Sequence, residues 1–162
     1  RMRRRLVGEL PTAPMPHGYE LRPLKEGEEA EWVAVKNAAF PEDEPWSVER
    51  YAKDLGQAPC YELSRILVAE RDGQLAGTTI AWEADYGQGP LGLIHWVGVR
   101  PEHRGSGLGK ALNTAALRQL ADRGYEEAWL NTSRQRRAAV QLYEGLGFEV
   151  YRELFRYELV LT

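Results

Sequence analysis

The feature that most limits how this chain can fold is a glycine-rich segment, residues 97–110, between an apolar run and an amphipathic one. The two runs predict a strand followed by a helix, so the glycines fall where the strand passes into the helix. Free N–H groups at a helix start carry partial positive charge, and glycine lets a phosphate approach the backbone closely. The segment therefore predicts a phosphate-binding loop assisted by nearby cations, and the alternative is a glycine-containing turn before a core helix.

The spacing of the glycines excludes two common phosphate loops. The P-loop of ATPases needs a glycine where this chain has Arg104 and a hydroxyl residue where it has Ala111. The dinucleotide fingerprint fails because its third glycine is missing and the segment follows several strands rather than the first one. The pattern that fits is Arg-x-x-Gly-x-Gly, made by Arg104, Gly107 and Gly109.

Composition limits the class of protein further. The chain has 162 residues, of which 43% are hydrophobic and 28% charged, as in an ordinary globular domain. One cysteine, Cys60, and three histidines cannot build a disulfide or a zinc cluster, so we predict no metal. A net charge of -3 argues against nucleic acid as a partner. No apolar stretch approaches the roughly 20 residues of a membrane span, so we expect a cytoplasmic protein without a membrane partner.

The chain divides into a short basic segment and one domain. Residues 1–18 combine a basic run with prolines, which predicts a tail or linker. Residues 19–162 are predicted to form a single domain. Its first part contains a strand at Tyr19–Leu24, a helix at Glu28–Phe40 and a second short helix capped by Ser47.

The rest of the domain predicts a mixed α/β fold. The Asp72-Gly73 pair favours a tight hairpin, and a third apolar run extends it to an antiparallel meander. A βαβ crossover, another helix and a terminal hairpin then complete the sheet. The predicted elements are strands at 65–70, 74–82 and 93–100, a helix from 108 to Gly124, a strand at 126–132, a helix at 139–146, and strands at 148–150 and 154–161.

A second motif brings a family resemblance. The sequence Ala139-x-x-Leu142-Tyr143-x-x-x-Gly147-Phe148 follows the glycine loop at a suitable distance, and the two motifs together resemble the GNAT superfamily of N-acetyltransferases over about residues 19–162. The resemblance implies a mixed sheet whose two central strands splay apart and hold acetyl-CoA in the wedge between them. It also suggests a homodimer, because dimers are common among the relatives.

The resemblance assigns roles to individual residues. Tyr143 takes the place of the tyrosine that protonates the coenzyme sulfur, and His95 is the candidate general base. A strand distortion at residues 97–99 would turn backbone N–H groups toward the acetyl carbonyl and the pantetheine. The implied coenzyme-binding residues are Val97, Gly98, Val99, Arg104, Gly105, Ser106, Gly107, Leu108, Gly109, Lys110, Asn131 and Arg136.

Several of these positions have a second interpretation. Tyr143 fits the apolar stripe of its helix as a core aromatic residue, and His95 fits a packed strand histidine. By the resemblance, Asn131 stands where relatives that acetylate a ribosomal protein have a glutamate base, and an amide cannot accept a proton in that way. Arg136 stands where many relatives have a coenzyme-contacting asparagine. With Arg134 and Arg137 it forms a cluster that is either a phosphate clamp or a solvated helix face, since the overall acidity argues against nucleic acid.

The acceptor is left open by the sequence. The run from Phe40 to Ser47 combines three carboxylates with Trp46, which suits either a cationic amine or a turn with an aromatic anchor. Its Pro-Trp-Ser element is similar to that of ribosomal-protein acetyltransferases, whereas the preceding helix is similar to that of mycothiol-forming acetyltransferases.

The resulting hypothesis is an acetyl-CoA-dependent N-acetyltransferase acting on a primary amine of a small molecule or peptide. Direct transfer in a ternary complex is favoured, because Cys60 lies far in sequence from both motifs. The alternatives are peptide N-terminal acetylation of the ribosomal-protein type and a coenzyme A-binding module without catalysis.

Overall fold

The computed structural model describes residues 1–6, 8–85 and 89–151 of the chain. These residues form a mixed sheet of seven strands with helices on both faces, which confirms the predicted α/β class. The strands are β1 (Met2–Arg5), β2 (Glu20–Pro23), β3 (Ile66–Arg71), β4 (Gln74–Asp85), β5 (Pro90–Val99), β6 (Glu127–Leu130) and β7 (Glu149–Val150). The helices are α1 (Glu29–Ala39), α2 (Val48–Tyr51), α3 (Leu108–Asp122) and α4 (Arg137–Gly145). The sheet order is β2-β3-β4-β5-β6-β1-β7.

Local signals in the sequence explain where the helices begin and end. The Ser47 hydroxyl accepts a hydrogen bond from the Arg50 N–H at 3.2 Å and caps α2, as predicted. One π-helical turn, Ala52–Gly56, continues from it. Gly107 precedes α3 with φ +88°, and Gly124 follows it with φ +85°. Both glycines adopt the left-handed backbone that other residues avoid, so they fix the two ends of α3.

The central strands form the predicted meander and then separate. Asp72 and Gly73 have φ values of +52° and +78°, which produce the tight turn between β3 and β4. Strand β5 pairs with β4 along most of its length, but it pairs with β6, in parallel, only at positions 92 and 93. Because β5 continues to Val99 beyond that short ladder, a wedge opens between the carboxyl ends of β5 and β6.

Alternating side chains along the strands divide the core into two layers. On one face of β4, Ile80 and Trp82 pack against Trp32 of α1 and Tyr51 of α2. On the other face, Ala81 packs with the apolar sides of α3 and α4. The Trp32 indole is fully buried and donates to the Thr78 hydroxyl at 2.8 Å, so its polar atom is satisfied inside the core.

The segment 1–18 contains a strand where the sequence indicated only a tail or linker. Residues Met2–Arg5 form β1, which lies between β6 and β7 and is antiparallel to both. Met2 is buried, and Arg3 Nη1 lies 3.7 Å from Glu127 Oε1. Its pairing partners come more than 120 residues later, so no local pattern indicates the strand. The predicted strand at 154–161 lies outside the described residues.

Candidate active site

The loop between β5 and α3 presents backbone N–H groups without partners. After one 3₁₀ turn, Pro101–His103, the chain passes through Gly105 and Gly107, whose φ values are +79° and +88°. The N–H groups of residues 105–109 donate to no acceptor among the described residues. An added Cβ at Gly105 or Gly107 would meet no atom within 4 Å, so the loop is open on the side of these glycines. The first turn of α3 carries no acidic side chain, which leaves an anion-binding helix terminus.

Arg104 shapes this loop instead of lying free beside it. Its guanidinium donates to the carbonyl of Ala39 at 3.0 Å and to the carbonyl of Val99 at 3.2 Å. The Ser106 hydroxyl donates to the His103 carbonyl at 2.8 Å. Arg104 therefore ties the loop to the ends of α1 and β5, which the sequence motif alone did not indicate.

Strand β5 is irregular where it approaches the loop. Thr78 of β4 faces Gly98, but Ile80 faces His95, so β5 carries an extra residue between these pairs. Trp96 has φ +47°, a backbone conformation that bulky side chains rarely adopt. Such a bulge removes backbone groups from the ladder with the neighbouring strand. The sequence predicted a distortion at residues 97–99, and the observed one begins a residue earlier, at Trp96.

Gly98 is required for packing against α1. A Cβ at this position would lie 2.7 Å from the Ala39 Cβ and 3.1 Å from the Phe40 ring. Its backbone does not have a positive φ, so conformational freedom is not the reason for glycine here. The family resemblance placed Gly98 within the distorted part of the strand, whereas the structure connects this glycine with the close approach of the end of α1.

Tyr143 of α4 is packed, and its hydroxyl has no hydrogen-bond partner among the described residues. Its side chain is 8% exposed, and its ring lies 5.9 Å from that of Phe148. The hydroxyl makes no hydrogen bond with a described residue, so core packing and an available phenol coexist. Burial raises the pKa of Tyr143 above its ordinary value, and the charge of Arg136 acts in the opposite direction. The phenol is therefore protonated at neutral pH.

His95 lies on β5 just before the bulge. Its ring is half-buried and contacts the Trp96 ring at 4.9 Å between centroids. Burial lowers the pKa of His95 to about 4, so the imidazole is neutral at pH 7. A neutral imidazole accepts protons, but one with this pKa is a weaker base than a free imidazole.

The acidic segment (Glu42–Glu44) is paired with arginines of the same chain. Arg136 Nη2 lies 2.9 Å from Glu42 and 3.4 Å from Asp43, and Arg50 Nη1 lies 2.9 Å from Glu44. These pairs are largely exposed and contribute little to stability, but they occupy the carboxylates. The arrangement favours the interpretation of this run as an anchored turn over that of an open site for a cationic amine.

Lys36 is the residue of this region that sequence reasoning missed. It lies on α1 with no exposed surface, and its Nζ is 5.0 Å from the Trp96 ring centroid and 5.3 Å from that of Trp46. The ammonium donates to the Glu44 carbonyl at 3.3 Å. Its position four residues after Trp32, on the apolar face of the helix, was the available signal.

The remaining predicted residues lie around the wedge. Asn131 is exposed directly after β6, and Lys110 is exposed in the first turn of α3. Arg134 and Arg137 are exposed, whereas Arg136 reaches the acidic segment. Ends of β5, α1 and α4 thus meet beside the loop, where the Leu142 side chain lies 3.7 Å from the Cβ position of Gly109.

Comparison with known proteins identifies the family. The sequence model of the Acetyltransferase (GNAT) family matches residues 27–148. The chain belongs to the GNAT acetyltransferase family. Among its GNAT relatives, the mycothiol acetyltransferase of Thermobispora bispora is 40% identical over 155 residues, which cover 91% of this chain and 52% of the relative. The chain therefore spans about half the length of the curated relatives it matches.

Solved GNAT structures show the same fold. The GCN5-related N-acetyltransferase from Sphaerobacter thermophilus superposes with a TM-score of 0.78 at 25% identity, covering 93% of this chain and 47% of that one. The aminoglycoside N-acetyltransferase AAC(6')-Iy, solved in complex with CoA, superposes with a TM-score of 0.71 at 21% identity. The match covers 90% of this chain and 97% of that one. The family and fold resemblance found in the sequence is confirmed.

The described residues contain neither a membrane-spanning helix nor a cluster of side chains suited to a metal ion. None of their helices combines the length and apolar character that crossing a bilayer requires. No group of three or more His, Cys, Asp or Glu side chains in residues 1–6, 8–85 and 89–151 is arranged to hold a metal ion.

Proposed function

We propose that this GNAT domain transfers the acetyl group of acetyl-CoA directly to a primary amine of a small molecule. The observation that carries the proposal is the run of N–H groups at residues 105–109 that have no acceptor among the described residues, at the start of a helix without acidic residues in its first turn. Such a run suits the diphosphate of coenzyme A. The loop follows the strand that carries the bulge, and Val97 of that strand packs against the apolar cluster that contains Tyr143. The thioester end of a bound coenzyme therefore has polar groups to meet.

The proposed reaction assigns one task to each group. The amine nitrogen forms a bond to the acetyl carbon, and the carbon–sulfur bond breaks. Backbone N–H groups freed at the bulge, around Val97, stabilise the negative charge that develops on the carbonyl oxygen. Tyr143 donates a proton to the departing thiolate, and neutral His95, directly or through water, accepts the proton that the amine loses.

Direct transfer is favoured over an acyl-enzyme. The Cys60 thiol lies 3.7 Å from the Glu83 carbonyl, and Glu83 pairs with Gly92 near the opposite end of β5 from the bulge. No other cysteine exists in the chain to accept the acetyl group.

The acceptor class follows from the relatives. Their names favour the amine that mycothiol acetyltransferases acetylate over a peptide N-terminus. Asn131 supports the same choice, because its amide cannot replace the glutamate base that the resemblance assigns to the peptide-acetylating relatives.

A binding experiment tests the loop. Calorimetry of the folded wild-type chain should detect acetyl-CoA, and Gly107→Ala should raise its Kd by about tenfold or more, because alanine disfavours the φ of +88° that shapes the N–H run. Gly124→Ala is the matched control. It has a φ of +85° and the same open surroundings, but it lies at the far end of α3. Equal losses of affinity in the two variants would contradict the proposal.

A turnover experiment tests the reaction. Free-thiol release from acetyl-CoA should appear with the amine substrate of mycothiol acetyltransferases within a panel of amines and peptides. Release with peptides alone would support N-terminal acetylation instead. Coenzyme binding without release from any member of the panel would support the non-catalytic module.

A pH experiment tests His95. Because burial lowers its pKa from 6.5 to about 4, the unfolded chain binds more protons at this residue than the folded chain between these pH values. The free energy of unfolding, measured by urea titration, should therefore fall as the pH falls through this window. His95→Gln should make that free energy less dependent on pH, whereas His17→Gln, at an exposed position, should leave the dependence as in wild type. If His95 is the base, His95→Gln should also flatten the acidic limb of the rate profile. An unchanged limb would exclude His95 as the base.

A further inference from the structure

Trp96 has a strained backbone conformation and an indole N–H that finds no acceptor in the described part of the chain. Its φ of +47° occurs at the bulge, where the pairing of β5 with β4 is interrupted between His95 and Gly98. The indole N–H is buried and has no acceptor among the described residues. Backbone strain of this kind persists only when the surroundings over-determine it. The contacts of the ring must therefore hold the residue.

One of those contacts is a buried positive charge. The Lys36 ammonium lies 5.0 Å from the Trp96 ring centroid and 5.3 Å from that of Trp46, and the two indole centroids are 5.0 Å apart. Lys36 has no exposed surface, although removing an ammonium from water is unfavourable. Cation–π contacts are strongest when the cation is desolvated in this way. Burying this ammonium costs free energy that an apolar side chain at the same position would not cost. We therefore expect the lysine to have a functional role.

The same ammonium also reaches the turn after α1. It donates to the Glu44 carbonyl at 3.3 Å, and Arg136 fixes Glu42 and Asp43 of that turn. Lys36 thus connects the acidic segment (Glu42–Glu44) with the residue at which β5 is distorted. Phe40 completes the connection, because its ring lies 5.6 Å from that of Trp96.

We propose that Lys36 is a positioning residue for acetyl transfer, whose ammonium holds the Trp96 ring and thereby the bulge whose N–H groups face the acetyl carbonyl. The inference rests on the proposed function and adds to it a residue outside the family motifs. The ammonium contacts Trp46, Trp96 and the Glu44 carbonyl, none of which belongs to the loop at residues 105–109, so its effect on the bulge passes through Trp96. Its loss should change turnover and leave coenzyme affinity intact.

The test replaces the charge and keeps the volume. Lys36→Met should lower kcat/KM for the amine about ten- to a hundredfold, since small displacements of reacting groups have effects of this size. The Kd for acetyl-CoA should stay within about twofold, and the near-ultraviolet circular dichroism of the Trp46–Trp96 pair should change. Lys36→Arg keeps a cation and should retain several-fold more activity than Lys36→Met. Lys53→Met, which removes an exposed lysine of the π-helical turn, should match wild type.

A double-mutant cycle separates positioning from general destabilisation. If Lys36 acts through Trp96, the fold-loss of kcat/KM in the double variant Lys36→Met/Trp96→Leu should be clearly smaller than the product of the fold-losses in the two single variants. Should Lys36→Met not fold, Trp96→Leu must itself lower kcat/KM by the same factor with acetyl-CoA affinity retained. Wild-type turnover in a folded Lys36→Met chain would overturn the role of Lys36 without affecting the proposed function. Fold-losses of kcat/KM that multiply in the double variant would do the same. Absence of thiol release by the wild-type chain would overturn the proposed function and this role together.

Discussion

Replacing Tyr143 by phenylalanine should lower turnover by about ten- to a thousandfold while acetyl-CoA affinity stays nearly constant. The ring is packed against Phe148, and phenylalanine preserves that contact. Only the hydroxyl is lost, and it makes no hydrogen bond with a described residue that the substitution would leave unpaired. Because burial raises the pKa of Tyr143, the phenol is protonated across the neutral range, so the loss should be uniform over that range. Steady-state kinetics and calorimetry on the same preparations measure the two effects.

Tyr125→Phe provides the matched control for this substitution. This substitution also removes a hydroxyl, but the Tyr125 hydroxyl donates to Glu83 at the end of the sheet opposite the wedge. We expect this variant to lose stability, since the Glu83 carboxylate loses a partner, and to keep wild-type turnover once folded. Wild-type turnover in Tyr143→Phe would remove Tyr143 from the mechanism and leave it as a core aromatic residue.

Elements that depend on neighbouring residues were predictable from the sequence. The Asp72-Gly73 turn, the Ser47 cap and the glycine that precedes α3 each act through bonds within a few residues, and each appears where the pattern indicated. The apolar periodicity of α1 and α3 gave their bounds within two residues. The glycine loop was predictable for the same reason, because its open N–H groups are a property of the local backbone.

Elements that depend on distant partners were not predictable. Strand β1 exists because β6 and β7 flank it, and its own residues suggest only a basic segment. Arg104 bonds to the carbonyl of Ala39, a residue of α1 that no spacing in the loop indicates. The buried charge of Lys36 depends on two tryptophans from different parts of the chain, so its place on the apolar face of α1 indicated a buried lysine but not the rings around its charge. The chemistry of the loop was thus visible in the sequence, whereas the positioning of the bulge beside it was not.

Gly98→Ala should destabilise the domain and reduce transfer, because the new methyl group has no space. Its Cβ would lie 2.7 Å from that of Ala39, closer than carbon atoms approach in proteins, and 3.1 Å from the Phe40 ring. Overpacking of this kind costs about 1–3 kcal/mol, which corresponds to a fall in Tm of about 2–4 °C per kcal/mol for a chain of this size. The end of α1 must move away from β5, and with it the Arg104 contact that shapes the loop. Thermal unfolding and acetyl-CoA titration measure the two consequences.

A compensating substitution identifies the cause of that loss. Ala39→Gly removes the methyl group that Gly98→Ala meets, so the double variant should be more stable than the sum of the two single changes predicts, although the Phe40 contact remains. Gly145→Ala is the control for adding a methyl group as such, because its Cβ would meet no atom within 4 Å at the end of α4. It should leave stability unchanged or raise it slightly, since alanine favours helix. Strict additivity of Ala39→Gly and Gly98→Ala would mean that the glycine serves the bulge itself rather than the approach of α1.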